Sequence, residues 1–292
     1  MIQAEYDFLR KLLKERSGLV LADDKQYLIE SRLTPLARKA NLGGLTELIA
    51  ELKRGVESRI CDVVEAMTTN ETFFFRDKIP FDHFKDSVLP ELIKARANRK
   101  SLRIWCAAAS TGQEPYSIAM TIKEMSAQLA GWRIEIIGTD ISQQVLEKSK
   151  SGIYTQFEVQ RGLPIQLLVK YFKQTGEMWQ INPEIRSMIQ YKPLNLLQDF
   201  SSMGKFDIVF CRNVLIYFDQ NTKTNIFERL SRMLEPDGVL ALGAAESVVG
   251  ITNTFKPYPE RRGLYRPNVA PVMRVGASTL VPQALRAVAA AR

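Results

Sequence analysis

The chain has 292 residues, 46% hydrophobic and 25% charged, which is the balance of a soluble globular protein with enough sequence for two lobes and a substantial core; disordered, collagenous and disulfide-scaffold classes are excluded. Its formal charge of +8 is unevenly spread: Lys256 to Arg292 holds seven basic residues and one acid, so the rest of the chain carries only +2, a poor match to a nucleic-acid surface. Cys61, Cys106 and Cys211 are an odd number with two of them in apolar runs, no stretch approaches the roughly 18 apolar residues of a membrane span, and the opening MIQAEYDFLRKLLKER carries acids, so a reduced, cytoplasmic, non-exported protein is expected.

Residues 1–78 read as helical. Tyr6, Phe8, Leu9, Leu12 and Leu13 share one helical face that stops near Gly18. The Asp23-Asp24 cap signal opens a second helix through Tyr27, Leu28, Leu33 and Leu36, with Pro35 as a kink position and a stop at Leu42-Gly43-Gly44. Helices around Leu45–Leu52 and Arg59–Met67 complete a small bundle.

From residue 101 short apolar runs alternate with amphipathic helices: LRIWCAA, YSIAMTIKEMSAQL, RIEIIGTD and QQVLEKSKSG, later FDIVFCRN and GVLALGAA around a helix at Thr222–Leu234. Buried runs each followed by a helix imply βαβ units, hence a doubly wound α/β body with its ligand at the carboxyl ends of the strands. After a helix at Pro164–Phe172, a Gly turn and two short alternating runs within TGEMWQINPEIRSMIQYKPLNL predict a β-hairpin inserted at the sheet edge, at about 174–193. The basic stretch 268–292, rich in Ala, Val, Pro and Arg, reads as disordered.

Three strand tips carry polar groups. The first strand runs into Cys106-Ala107-Ala108-Ala109-Ser110-Thr111-Gly112-Gln113-Glu114-Pro115, where small side chains let a ligand approach the backbone ahead of a helix N-terminus. Neither GxGxxG nor GxxxxGK[ST] is present, so a pyrophosphate or triphosphate site is unsupported. Asp140 ends the second strand, where an acid accepts ribose hydroxyls; it also stands where a helix N-cap would. Cys211-Arg212-Asn213-Val214 forms the third tip. Taken singly each is an ordinary connection, but together they make one polar rim.

Three strings, Met67–Arg76 (MTTNETFFFR), Ala107–Ser117 (AAASTGQEPYS) and Phe210–Phe218 (FCRNVLIYF), resemble those of the CheR-type chemoreceptor glutamate methyltransferases, a likeness extending in order over roughly residues 5–266. The resemblance implies a Rossmann-like class I methyltransferase domain (79–267) with a small all-helical N-terminal domain (1–78) and a β-hairpin subdomain insert. It implies S-adenosylmethionine as methyl donor, S-adenosylhomocysteine as product, and γ-glutamyl methyl esters on a receptor's cytoplasmic helices. It assigns Asn70, Thr72 and Arg76 to the cofactor near its reactive end, Glu114 and Asp140 to its pocket with Asp140 on the ribose, Asn195 and Leu196 to the adenine, and Asn213 and Val214 to the rest of the site. Arg76 and Tyr217 are its candidates for placing the acceptor carboxylate. It also assigns receptor docking to the second helix, whose Lys25, Arg32, Arg38 and Lys39 form a basic stripe against Glu30. The expected partners are receptor helices, with no nucleic acid, no membrane insertion and a monomeric chain.

Chemistry independent of the resemblance agrees. A glutamate with a pKa near 4.3 is already ionised at pH 7, so methyl transfer from a sulfonium needs alignment and water exclusion and no general base. The single histidine, His83, is expected to be structural, and Phe73, Phe74 and Phe75 to pack. In family members that tether to a receptor's C-terminal peptide the insert has a longer Gly-containing loop; Gln174-Thr175-Gly176-Glu177-Met178 is short, and independence from that tether is expected. The competing readings are a nicotinamide oxidoreductase, which lacks its glycine fingerprint, a nucleic-acid methyltransferase, and a chemosensory scaffold that keeps the fold without turnover.

Overall fold

A computed structural model describes residues 1–268; the basic stretch read as disordered lies outside the described residues, apart from Asn268. Four helices form the N-terminal bundle, α1 (Gln3–Ser17), α2 (Gln26–Lys39), α3 (Leu45–Lys53) and α4 (Glu57–Met67). Each buries the stripe its spacing dictates: Tyr6, Leu9 and Leu13 from α1, Ile29, Leu33 and Ala37 from α2, Leu48, Ile49 and Leu52 from α3, and Ile60, Val63 and Met67 from α4. One local expectation is corrected. Asp23 and Asp24 do not cap α2, whose N-cap is Lys25 without a side-chain bond, because the two acids are drawn into ion pairs with Arg10 and Lys25. Pro35, the expected kink position, lies inside the helix, which runs on to Lys39.

After α5 (Ile79–His83) and α6 (Leu89–Ala95) the chain enters the α/β body: β1 (Ser101–Ala107), α7 (Gln113–Glu124), β2 (Arg133–Asp140) and α8 (Gln143–Ser151). Next come β3 (Ile153–Thr155), α9 (Gln156–Gln160), α10 (Ile165–Tyr171), β4 (Phe172–Thr175), β5 (Met178–Ile181), α11 (Pro183–Arg186) and β6 (Ile189–Pro193). The chain closes with β7 (Phe206–Cys211), α12 (Gln220–Met233), β8 (Leu234–Leu242), β9 (Phe255–Pro257) and β10 (Leu264–Pro267).

Seven strands form one sheet in the order β6-β2-β1-β7-β8-β10-β9. The first five are parallel, while β10 runs antiparallel to β8 and to β9. The order reverses between β1 and β7, and an open α/β sheet leaves its ligand crevice at such a reversal. Every residue of β7 is buried, as a strand covered on both faces requires.

The expected insert is corrected in extent. β3, β5 and β4 make a separate antiparallel sheet, whereas Ile189–Pro193 pairs in parallel with β2 and belongs to the main sheet. A half-buried edge strand and a hairpin arm share the same period-2 pattern, so alternation alone placed β6 in the hairpin. The hairpin itself turns in two residues, Gly176 and Glu177, with Gly176 at φ +61° as the tight turn needs.

The helical bundle touches both sides of the strand tips. On one side Ser142 Oγ and the Gln144 N–H donate to Glu65 of α4 at 2.6 and 2.7 Å. On the other, Asn195 Nδ2 donates to the Arg16 carbonyl at 2.7 Å and the Val20 N–H to the Tyr217 carbonyl at 2.9 Å. A cleft is left between bundle and sheet.

Candidate functional site

The cleft encloses about 990 Å³ including its open mouth. All ten residues expected at the cofactor and acceptor line it: Asn70, Thr72 and Arg76 from the string after α4, Glu114 and Asp140 at the first two strand tips, Asn195 and Leu196 after β6, and Asn213, Val214 and Tyr217 after β7.

The turn after β1 is built for backbone approach. Ala108, Ser110 and Gly112 all have positive φ, at +61°, +50° and +93°, a conformation costing a non-glycine residue about 1–2 kcal/mol. Neighbouring contacts hold it. The Ala109 N–H donates to the Thr139 carbonyl at 2.8 Å, the Ser110 N–H to Asp140 Oδ2 at 2.8 Å, and Ser110 Oγ to the Asn70 carbonyl at 2.8 Å. A Cβ on Gly112 would lie 2.9 Å from the Tyr191 hydroxyl. Asp140 is therefore both a tip acid and the clasp of the turn. Its Oδ1 accepts from the Ser142 N–H at 3.0 Å, and Ser142, not Asp140, caps α8. Burial raises the Asp140 pKa, against backbone N–H groups that lower it.

The second wall is the string Asn70–Arg76. Phe74 is fully buried against Tyr154 and Phe172, and the Phe75 N–H donates to Ser117 Oγ at 3.0 Å. These two pack as expected. Phe73 instead packs against two guanidiniums, Arg76 at 5.6 Å and Arg161 at 4.3 Å from its ring centre. Arg161 also donates to Glu71 Oε1 at 2.6 Å, so the insert reaches the mouth of the cleft; Gly162, where a Cβ would fall 2.1 Å from the Phe74 carbonyl oxygen, makes that approach possible.

Arg212 is the largest omission of the sequence reading. Its side chain is 2% exposed, and it donates to Glu114 Oε2 at 2.8 Å, to Asp77 Oδ2 at 2.8 Å and to the Arg76 carbonyl at 2.7 Å, tying the third strand tip to the first and to the string. Burial raises the Glu114 pKa while Arg212 opposes the rise. Glu114 spends one oxygen on Arg212 and leaves the other to the cleft. Asn195 is also partly committed, since its Oδ1 accepts from the Leu197 N–H at 3.0 Å while its Nδ2 bonds α1.

The basic stripe expected on α2 is not continuous. Arg32 donates to the Met67 and Thr68 carbonyls at 2.8 Å each and braces the linker that lines the cleft; Lys25 pairs with Asp24, and Arg38 and Lys39 are exposed. His83 does not line the cleft.

A sheet that reverses beside β1, an acid clasped at the β2 tip and a turn of small residues without phosphate-binding glycines define a nucleoside-binding protein of the Rossmann-like kind. Residues 70–264 match the family described as CheR methyltransferase, SAM binding domain, and residues 4–68 match CheR methyltransferase, all-alpha domain. The chain is 41% identical over 257 residues to the chemotaxis protein methyltransferase of Vibrio parahaemolyticus, covering 86% of this chain and 92% of that one. It is 42% identical over 257 residues to chemotaxis protein methyltransferase 1 of Pseudomonas aeruginosa (87% and 93%), and 35% identical over 257 residues to the Escherichia coli chemotaxis protein methyltransferase (86% and 87%). The chain belongs to the CheR methyltransferase family and is an S-adenosylmethionine-dependent methyltransferase.

The donor set fits that cofactor. Two carboxylates at adjacent strand tips suit a ligand that offers hydroxyls and positive charge, and the small-residue turn leaves room beside them. When bound, S-adenosylmethionine supplies an electrophilic methyl group on a sulfonium. Among the described residues no helix is long and apolar enough to cross a membrane, and no group of His, Cys, Asp and Glu is arranged to hold a metal ion.

Proposed function

We propose that this protein transfers methyl groups from S-adenosylmethionine to the γ-carboxylates of glutamates on the cytoplasmic helices of chemoreceptors, in chemosensory adaptation in the cytoplasm. The observation that carries this reading is the make-up of the cleft mouth. Arg76 and Tyr217 stand there with no histidine, and both buried acids are already bonded, Glu114 to Arg212 and Asp140 to backbone N–H groups. Such a mouth offers a guanidinium and a hydroxyl to orient an anion and no histidine to take a proton, which suits an acceptor that is ionised beforehand.

In this reading Asp140 holds the ribose hydroxyls, Asn195 and Leu196 flank the adenine, and Glu114, Asn213 and Val214 complete the pocket. Asn70, Thr72 and Arg76 surround the reactive end, and Arg76 and Tyr217 place the acceptor carboxylate. Arg38 and Lys39 carry the docking contribution of α2, with Arg32 and Lys25 supporting it from their intramolecular partners. The two-residue hairpin turn supports methylation without a receptor C-terminal peptide tether. The scaffold reading is disfavoured because every expected cofactor position lines the cleft.

Incubating the enzyme with S-adenosylmethionine and a receptor cytoplasmic fragment, followed by tandem mass spectrometry, tests the proposal. A methyl on glutamate that alkali removes is expected. A methyl on another side chain, or an alkali-stable one, refutes it. Titration with the receptor's C-terminal peptide should show no micromolar binding.

A further inference from the structure

Beyond β8 the chain turns back toward the cleft through Gly243 to Glu246, the Glu246 N–H donating to the Gly243 carbonyl at 3.0 Å. The Glu246 carboxylate accepts from backbone N–H groups with both oxygens. Oε1 takes Val214, Leu215 and Ile216 at 3.0, 2.8 and 3.3 Å; Oε2 takes Asn213 and Gly243, each at 2.8 Å. Four consecutive N–H groups converging on one carboxylate form an anion-binding nest whose anion belongs to the protein itself.

The nest holds a segment that does not hold itself. Asn213 sits at φ +58°, a left-handed conformation that asparagine adopts more readily than other non-glycine residues but that is still uncommon for it. It is clamped from the other side as well, because a Cβ on Gly243 would come within 2.7 to 2.9 Å of Asn213 Nδ2, Cγ and N. The segment so held delivers Asn213, Val214 and Tyr217 to the cleft, while Glu246 itself does not line it.

We propose that Glu246 is a positioning residue for methyl transfer: by collecting the N–H groups of residues 213–216 it fixes the conformation in which Asn213 and Val214 meet the cofactor and Tyr217 meets the acceptor. The Tyr217 half rests on the receptor function proposed above; the cofactor half rests on the family's use of S-adenosylmethionine and on the placement of Asn213 and Val214 in its pocket proposed above.

Glu246→Gln keeps the shape but swaps one acceptor oxygen for a donor, leaving two or three of the five N–H groups facing an NH₂ group. The expected result is binding of S-adenosylhomocysteine weakened by about ten-fold, with single-turnover methyl transfer slowed by more than the loss of binding. A double-mutant cycle with Asn213→Ala separates positioning from general destabilisation. If Glu246 acts through Asn213, the double variant binds no worse than the poorer single one. Wild-type affinity in Glu246→Gln, or losses that multiply in the double variant, overturns the proposal.

Hydrogen exchange on the wild-type protein provides a readout that needs no variant. The amides of residues 213–216 and 243 should share one high protection factor, each rate being taken relative to that amide's intrinsic rate; unrelated protection factors overturn the proposal. Failure of the wild-type enzyme to methylate a receptor fragment would overturn the receptor reading alone, since the binding and exchange arms still decide the role of Glu246.

Discussion

Replacing Arg212 by Met exposes how the cleft is held together. The guanidinium bonds Glu114, Asp77 and the Arg76 carbonyl and lies over the Phe81 ring at 5.4 Å, all with 2% of its side chain exposed. Methionine keeps much of the volume and removes every donor. Glu114 is then a buried carboxylate without its counter-ion, and breaking a buried pair from one side costs about 3–5 kcal/mol. The cost should depend on pH. Burial raises the Glu114 pKa, with Arg212 the main opposing influence, so its loss raises that pKa further. A carboxyl whose folded pKa exceeds its unfolded value takes up a proton on folding; stability is then gained as pH falls toward the unfolded value and lost as pH rises through the folded one. Urea denaturation of Arg212→Met and wild type at a series of pH values from 8 down toward the ordinary carboxyl range near 4.3 should show a gap that narrows as the pH falls. Adding Glu114→Gln should recover part of the loss, because the double variant leaves no unpaired charge at that position. A loss below about 1 kcal/mol, or one independent of pH, would refute the view that this ion pair organises the cleft.

Asp140→Ala should weaken S-adenosylhomocysteine binding by about 1–3 kcal/mol in titration calorimetry, since it removes a charged acceptor and releases the Ser110 and Ser142 N–H groups; unchanged affinity would move the ribose elsewhere. Tyr217→Phe should leave that affinity unchanged and slow methyl transfer, and a wild-type rate would reduce Tyr217 to packing. Gly162→Ala should lower the midpoint of thermal unfolding through a cost of at least about 1–2 kcal/mol, from its φ of +82° and the clash with the Phe74 carbonyl, and should slow transfer by displacing Arg161 from the mouth; an unchanged midpoint would show that the insert can shift without penalty.

The helical bundle, the parallel strands and the tip residues Asp140 and Asn213 are legible in the sequence because each rests on a local signal: a spacing on one face, a buried run, or a polar residue close after such a run. The single family resemblance adds the rest of the cleft. The roles of Arg212 and Ser110 are not legible in the same way. Arg212 stands in the FCRN string, but what it does depends on Glu114, 98 residues away, and on Asp77, 135 residues away. Strand β6 was placed in the hairpin because an edge strand alternates as a hairpin arm does. Strands β9 and β10 are three and four residues long and each ends in proline, which weakens any strand signal. Arg32 reads as part of a docking stripe by charge and spacing, yet its partners are the carbonyls of Met67 and Thr68, which only the folded bundle brings near.

The central claim is that the cleft aligns an already ionised carboxylate and needs no base. The single-turnover rate of methyl transfer to a receptor fragment, measured across pH 6 to 8.5 with both substrates saturating, tests it directly, because a carboxyl of pKa near 4.3 is ionised throughout that range. A rate that stays flat is the expected result. A rate rising about ten-fold per pH unit through that range would require a proton to be removed before transfer and would contradict the account.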